Sequence, residues 1–251
     1  MATGTHHSFV LSDDIFHAAR HNQRRMFARE VLEHCESVLP HSFIATPPQD
    51  RLSILEAAFD QAKSHGLTKR GPLYVWSEAS IVFGGPFMAD PLCEAAREAI
   101  AGSSETQMVR ARRLHHVLLE HVETALGDGG AILLPALGRL EEAFLSGTVP
   151  KVSEIASKIW PERATLAGPD AVQAFVDHLE SSFQGLGTMD DRNRATLAGC
   201  CLFLGAWAWA DPLRPWLAKA LRHPLDRDEN TVLFKVSRKF FLAAKERLED
   251  G

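Results

Sequence analysis

Residues 89–92 read Ala-Asp-Pro-Leu, and residues 210–213, which lie 121 positions further on, read Ala-Asp-Pro-Leu again. At the same offset Val31 aligns with Val152, Glu33 with Glu154, Val38 with Ile159 and Pro40 with Pro161. The register continues through Ile54 with Phe175, Leu55 with Val176, Ala58 with Leu179 and Ala62 with Phe183, and through the glycine pairs Gly66/Gly187 and Gly84/Gly205. An offset of 122 then pairs Leu114 with Val236, Leu118 with Phe240, Leu119 with Phe241, Val122 with Ala244 and Leu126 with Leu248, which predicts one inserted residue in a loop. Apolar positions at helical spacing with Gly and Pro between them describe one fold used twice. The expected architecture is all-α, with two tandem copies of a five-helix module: residues 1–130, including an N-terminal extension, and residues 131–251.

Local chemistry supports helices throughout. Asp90-Pro91 and Asp211-Pro212 each supply a capping carboxylate followed by a proline at a first helical position, where its missing N–H costs nothing. Ser104 followed by Gln107 has capping-box spacing, and Met108, Ala111, Leu114, His115, Leu118, Leu119 and Val122 continue one face up to Gly127. Upstream, Ile15, Phe16, Ala19, Met26, Phe27, Val31, Cys35 and Val38 predict an amphipathic helix ending near Pro40, and Leu52 to Ala62 predicts another ending near Gly66. Tyr74 to Phe83 and Leu197 to Trp207 are apolar over a wide face and need cover from several neighbours. The run Gly127 to Gly130 is expected to be a flexible linker, with Ile132 to Leu145 opening the second copy. No segment alternates with period two, so a sheet has no support.

The 251 residues are 45% hydrophobic and 24% charged, enough to build a core without staples. A formal net charge of -5 gives no global attraction for a polyphosphate backbone, so no nucleic-acid partner is expected. Cys35, Cys93, Cys200 and Cys201 contain no CxxC pair and fit neither a disulfide framework nor a zinc site, which points to a reducing cytoplasm. Met1 to Asp14 lacks the basic-then-apolar pattern of a secretory leader. The longest uncharged run, Ala195 to Ala210, is too short to cross a bilayer, so no membrane insertion is expected.

Candidate chemistry is sparse. Ten of the twelve histidines lie in the first half: His6, His7, His17, His21, His34, His41, His65, His115, His116 and His121. His17 and His21 share a helix face, and Glu120 and His121 follow His115 and His116, so a histidine and carboxylate metal site is conceivable, and a metal-dependent hydrolase with it. The spacing matches neither HExxH nor Glu-x-x-His, and solvated or capping histidines account for it more simply. Cys200-Cys201 sits in an apolar run where a thiolate is disfavoured, and no GxSxG elbow or P-loop occurs. We therefore expect no enzyme activity, no cofactor and no metal. Lys235, Arg238, Lys239, Lys245 and Arg247 are either a solvated face or a surface for an acidic partner. Trp207 and Trp209 stand where the first copy has Pro86 and Met88, and Trp216 follows. These three tryptophans are either core packing or an anchor for a protein partner.

Ser64-His65-Gly66-Leu67 followed by Ile81-Val82-Phe83-Gly84-Gly85-Pro86-Phe87-Met88-Ala89-Asp90-Pro91 resembles small helical proteins encoded beside type VI secretion spike-tip (PAAR) and effector genes in Gram-negative bacteria. The resemblance covers about residues 20–100, and the second copy through Gly187, Gly205 and Asp211-Pro212. It implies a non-enzymatic adaptor or co-chaperone that binds an effector or its loading adaptor, and carries no catalytic residues over. An immunity protein neutralising a co-encoded toxin is the alternative, since a negative surface would suit a basic toxin.

Overall fold

The structure, a computed structural model, describes residues 13–38, 48–102, 104–146, 150–223, 225 and 231–249. Pro40, His6, His7 and His41 lie outside them. Among the described residues there is no strand, and twelve α-helices follow one another. In the first half these are α1 (Asp13–Val38), α2 (Pro48–Ser64), α3 (Arg70–Phe83), α4 (Glu94–Ile100) and α5 (Gln107–His121). The second half has α6 (Leu133–Ser146), α7 (Val152–Ile159), α8 (Pro161–Ala167), α9 (Pro169–Gly185), α10 (Asp191–Leu204), α11 (Pro215–Ala220) and α12 (Val232–Glu249).

Both ends of α9 lie 121 positions after those of α2, and both ends of α10 lie 121 after those of α3. The expected five helices become seven in the second half. Pro150, which has no N–H to give, stands between α6 and α7, and Pro161 ends α7 at Ile159 and occupies the first turn of α8.

Thr106 Oγ1 accepts from the Val109 N–H and Thr231 Oγ1 accepts from the Phe234 N–H, so the caps of α5 and α12 are 125 positions apart, while at the offset of 122 Ala111 and Leu233 are both buried, as are Leu118 and Phe240. The expected capping box is corrected. Thr106 is the cap of α5, while Gln107 turns away, its Oε1 accepting from the backbone N–H groups of Thr68 and Lys69 at 2.7 and 2.8 Å.

In α1, Phe27, Val31 and Cys35 are buried, but Phe16, Met26 and Val38 are exposed. Phe16 and Val38 share the azimuth of Phe27 yet lie at the helix ends, and Met26 is turned about 100° away. The expected linker at Gly127 is a hydrogen-bonded turn: α5 continues as one π-helical turn, Val122–Leu126, and the Ile132 N–H closes back on the Leu126 carbonyl at 2.9 Å. Gly127 has φ +76°, and a Cβ there would stand 2.7 Å from the Ile132 nitrogen.

Two apolar cores result. One is built on Phe59, Trp76, Phe87 and Leu114 of the first half, the other on Phe144, Trp160, Phe175 and Leu197 of the second. They exchange one leucine each: Leu213 is buried in the first core and Leu92 packs against the second. The preceding aspartates do the same with hydrogen bonds. Asp90 Oδ1 accepts from the Leu92 N–H and its Oδ2 from the Ala206 N–H, at 2.9 and 2.8 Å. Asp211 Oδ1 accepts from the Leu213 N–H and its Oδ2 from the Gly85 N–H, at 2.9 and 3.1 Å. The Asp-Pro pairs therefore do more than start helices. They open short turns, with α4 and α11 proper beginning at Glu94 and Pro215, and they tie the two halves together.

Candidate protein-binding surface

Helix α10 is buried over nearly its whole length, so its C-terminal exit at Gly205 carries the chain to the surface, where Trp207 and Trp209 flank a 3-10 turn, Ala208–Ala210. Ala208 points inward, and the two tryptophans are left partly exposed on either side of it. Their ring centroids are 5.7 Å apart, and His178 of α9 lies against both, 4.4 Å from Trp207 and 6.1 Å from Trp209, nearly parallel to the latter at 10°. Phe183, five residues further along α9, meets the Trp209 edge at 6.4 Å. The Trp207 Nε1 and His178 Nε2 atoms are covered by protein yet make no hydrogen bond.

Trp216 lies elsewhere: it stacks on Phe240 of α12 at 4.9 Å, and like Trp207 and Trp209 it is partly buried against the second core. Of the three predicted tryptophans, two therefore form one aromatic corner and the third braces α11 on α12. Histidine 178 was missed. The signal that could have found it is the 121-residue offset, which sets Ala57 against His178 as it sets Pro86 and Met88 against Trp207 and Trp209.

The first-half histidines scatter. His17 and His21 border a groove of about 760 Å³ between α1, α2 and α3, together with Arg20, Arg24, Lys63 and Arg70, cations that would repel a metal ion. His34 Nε2 meets Glu78 at 3.1 Å, and His65 stacks on Trp76 at 5.0 Å. His121 is buried beside Phe83 and Trp160; loss of solvation first, and the Arg163 charge second, push its pKa down to about 3. Among the described residues no group of three or more His, Cys, Asp or Glu side chains is arranged to hold a metal ion.

All four cysteines are buried. Loss of solvation pushes the Cys35 and Cys200 thiols up to about 12 and those of Cys93 and Cys201 further up, so they are poor nucleophiles. In α12, Lys245 is tied to Glu141 of α6 at 2.9 Å, which gives that cation a structural task, while Arg238 and Lys239 border a shallow hollow with Phe234. No helix among the described residues is long and apolar enough to cross a membrane. No family model, curated protein or solved structure matches the chain.

Proposed function

We propose that the chain is a non-enzymatic adaptor or co-chaperone that grips a protein partner through Trp207, Trp209 and His178. The carrying observation is the corner itself: two partly exposed indoles within 5.7 Å of each other, backed by an imidazole and by Phe183. Paired aromatics on a short turn, backed by side chains of α9, offer a large contact area at low entropic cost, the usual make-up of a binding hot spot. The buried, unreactive thiols fit a binding role rather than nucleophilic chemistry.

The same reading treats residues 1–130 and 131–251 as two copies of one helical module. Its support is the shared 121-residue spacing of α2 with α9 and α3 with α10, together with the mutual aspartate and leucine exchanges. In this reading one copy keeps the plain Pro86, Met88 and Ala57 surface and the other has acquired the aromatic corner. The resemblance around Gly84 to Pro91 suggests the partner: a type VI secretion effector or its loading adaptor, met in the cytoplasm before export.

The test is co-purification of the full chain from its native cells, wild type against Trp209→Ala, with mass spectrometry of what elutes. Capture of an effector, spike-tip protein or loading adaptor by the wild type, lost in Trp209→Ala at an unchanged melting temperature, supports the proposal. Capture of a toxin whose activity is abolished at one-to-one stoichiometry makes the chain an immunity protein instead. Equal capture by both proteins removes the corner from the interface.

A further inference from the structure

Every residue of α1 from Phe16 to Gln23 is exposed, so these two turns stand in solvent on all sides. The helix is gripped only further on: Arg24 donates to the Glu56 carbonyl and to Asp60 of α2, Phe27 stacks on Phe59 at 5.2 Å, and Ala28, Val31 and Cys35 are buried. A helical stretch that short gains little from its own hydrogen bonds in water, because helices draw most of their stability from a packed face. Here Phe16 and Met26 are left 49% and 60% exposed.

Beside this arm runs the groove of about 760 Å³ between α1, α2 and α3. Its floor is apolar, with Phe27, Phe59 and Leu73 buried, and Met26 stands at its edge. Its walls are cationic: Arg20, Arg24, Lys63 and Arg70 face Glu30, the one acid among the described lining residues. Asp60 pairs with Arg24 and Lys63, and Glu30 with Arg70, but the two acids are 62% and 60% exposed. Ion pairs this exposed are worth little and exchange readily for another carboxylate. Four cations against two acids make a locally positive face on a chain whose formal net charge is -5.

We infer that this groove receives an acidic amphipathic helix of a partner protein, its apolar stripe on Met26, Phe27 and Phe59 and its carboxylates on Arg20, Arg24, Lys63 and Arg70. A helix laid in an apolar groove is an established mode of peptide recognition, and the cationic walls select an acidic one. From His17 to Glu30 the groove follows α1 for about 20 Å, the length of a docked helix of about 13 residues. Such a partner would also cover the exposed arm. A polyphosphate chain fits less well, since the apolar floor offers it nothing and the overall negative charge repels it. The groove is built from α1, α2 and α3 and the tryptophan corner from α9 and the turn after α10, so the two surfaces stand or fall separately.

The probe is a fluorescein-labelled helical peptide of about 14 residues, with Leu at i, i+3, i+4 and i+7 and Glu on the remaining face, titrated with the full chain by fluorescence anisotropy. Controls are a scrambled peptide of the same composition, the same peptide with Lys in place of Glu, and a single-stranded DNA oligonucleotide. The acidic amphipathic peptide is expected to bind one to one, with every control at least about tenfold weaker. Arg20→Glu and Met26→Asp, both at exposed positions, should each weaken it by at least about tenfold at an unchanged melting temperature, while Trp209→Ala leaves it as it is. The inference is overturned if the peptide shows no saturable binding at low salt, if the scrambled peptide matches it, or if the oligonucleotide binds more tightly. It is also overturned if both folded groove variants bind as the wild type does, or if sedimentation shows a dimer that Met26→Asp dissociates, which would make the occupant a second copy of the chain.

Discussion

Gly84 and Gly205 stand back to back between the two cores: a Cβ on Gly84 would lie 2.5 Å from the Leu204 carbonyl oxygen, and one on Gly205 would lie 2.6 Å from the Phe83 carbonyl oxygen. Both obstacles are backbone, which cannot swing aside. Both glycines also hold positive φ, +100° and +99°, where an L side chain is strained. Each ends a helix, α3 or α10, so the halves approach where those helices stop. Gly84→Ala and Gly205→Ala should each destabilise the chain by at least about 3 kcal/mol in urea unfolding. Gly168→Ala is the control: its φ is +85°, nothing lies within 4 Å of the added carbon, and the cost should be only about 1 kcal/mol. Equal losses at Gly84 and Gly168 would mean that φ alone, and not the contact, sets the cost.

The aspartate exchange gives a residue-specific readout. A helix cap alone is worth about 1 kcal/mol, but each of Asp90 and Asp211 also holds a backbone N–H of the opposite half in a buried setting, so Asp211→Ala should cost about 2 to 3 kcal/mol. Amide exchange separates the two contributions. The Ala206 N–H should lose protection in Asp90→Ala and the Gly85 N–H in Asp211→Ala. Unaltered exchange at both would contradict the cross-connection.

The Asp90 and Asp211 caps and the 121-residue spacing of α2 with α9 and of α3 with α10 were legible because Asp-Pro and glycine carry their backbone requirements in their identity. The Asp90 to Ala206 and Asp211 to Gly85 bonds were not, because a backbone N–H is the same at every position and only the packing of the halves selects which one is reached. The aromatic corner was half legible: tryptophan identity marked three positions, but it took α9 to bring His178 beneath two of them and α12 to claim Trp216.

His121 makes stability depend on pH. Its pKa is depressed from the usual 6.5 to about 3 by burial and by the Arg163 charge, so below pH 6.5 the unfolded chain takes up a proton that the folded chain refuses. The stabilisation is present in full above pH 6.5 and is lost progressively as the pH falls toward 3, with a slope approaching about 1.4 kcal/mol per pH unit. Urea unfolding between pH 7 and pH 4 should show that slope flattened in His121→Leu. Parallel curves for the two proteins would place His121 in water.

The thiols offer a direct check on burial. An aromatic disulfide reagent at neutral pH should label less than one of the four cysteines in the native chain and all four in denaturant, because all are buried and each thiol is held in its protonated form. Fast labelling of one site in the native state would identify an opening of the adjacent helix, and Cys200 and Cys201, buried on α10, should be the slowest.

Trp209 and Trp216 should separate binding from stability. Trp216 stacks on Phe240 across α11 and α12, so Trp216→Ala removes a bracing contact from the second core and should cost about 3 kcal/mol while leaving the corner intact. Trp209 also packs against the second core, but it is partly exposed and meets His178 and Phe183 at the core's edge, so Trp209→Ala should cost less, about 1 kcal/mol in stability. As a hot spot it should still weaken partner binding by about 2 kcal/mol, roughly thirtyfold in affinity. Thermal melts and binding measured on the same two samples decide it. The pattern expected is a low melting temperature with intact binding for Trp216→Ala and the reverse for Trp209→Ala. If both variants melt early and bind normally, all three tryptophans are core packing and the corner has no partner.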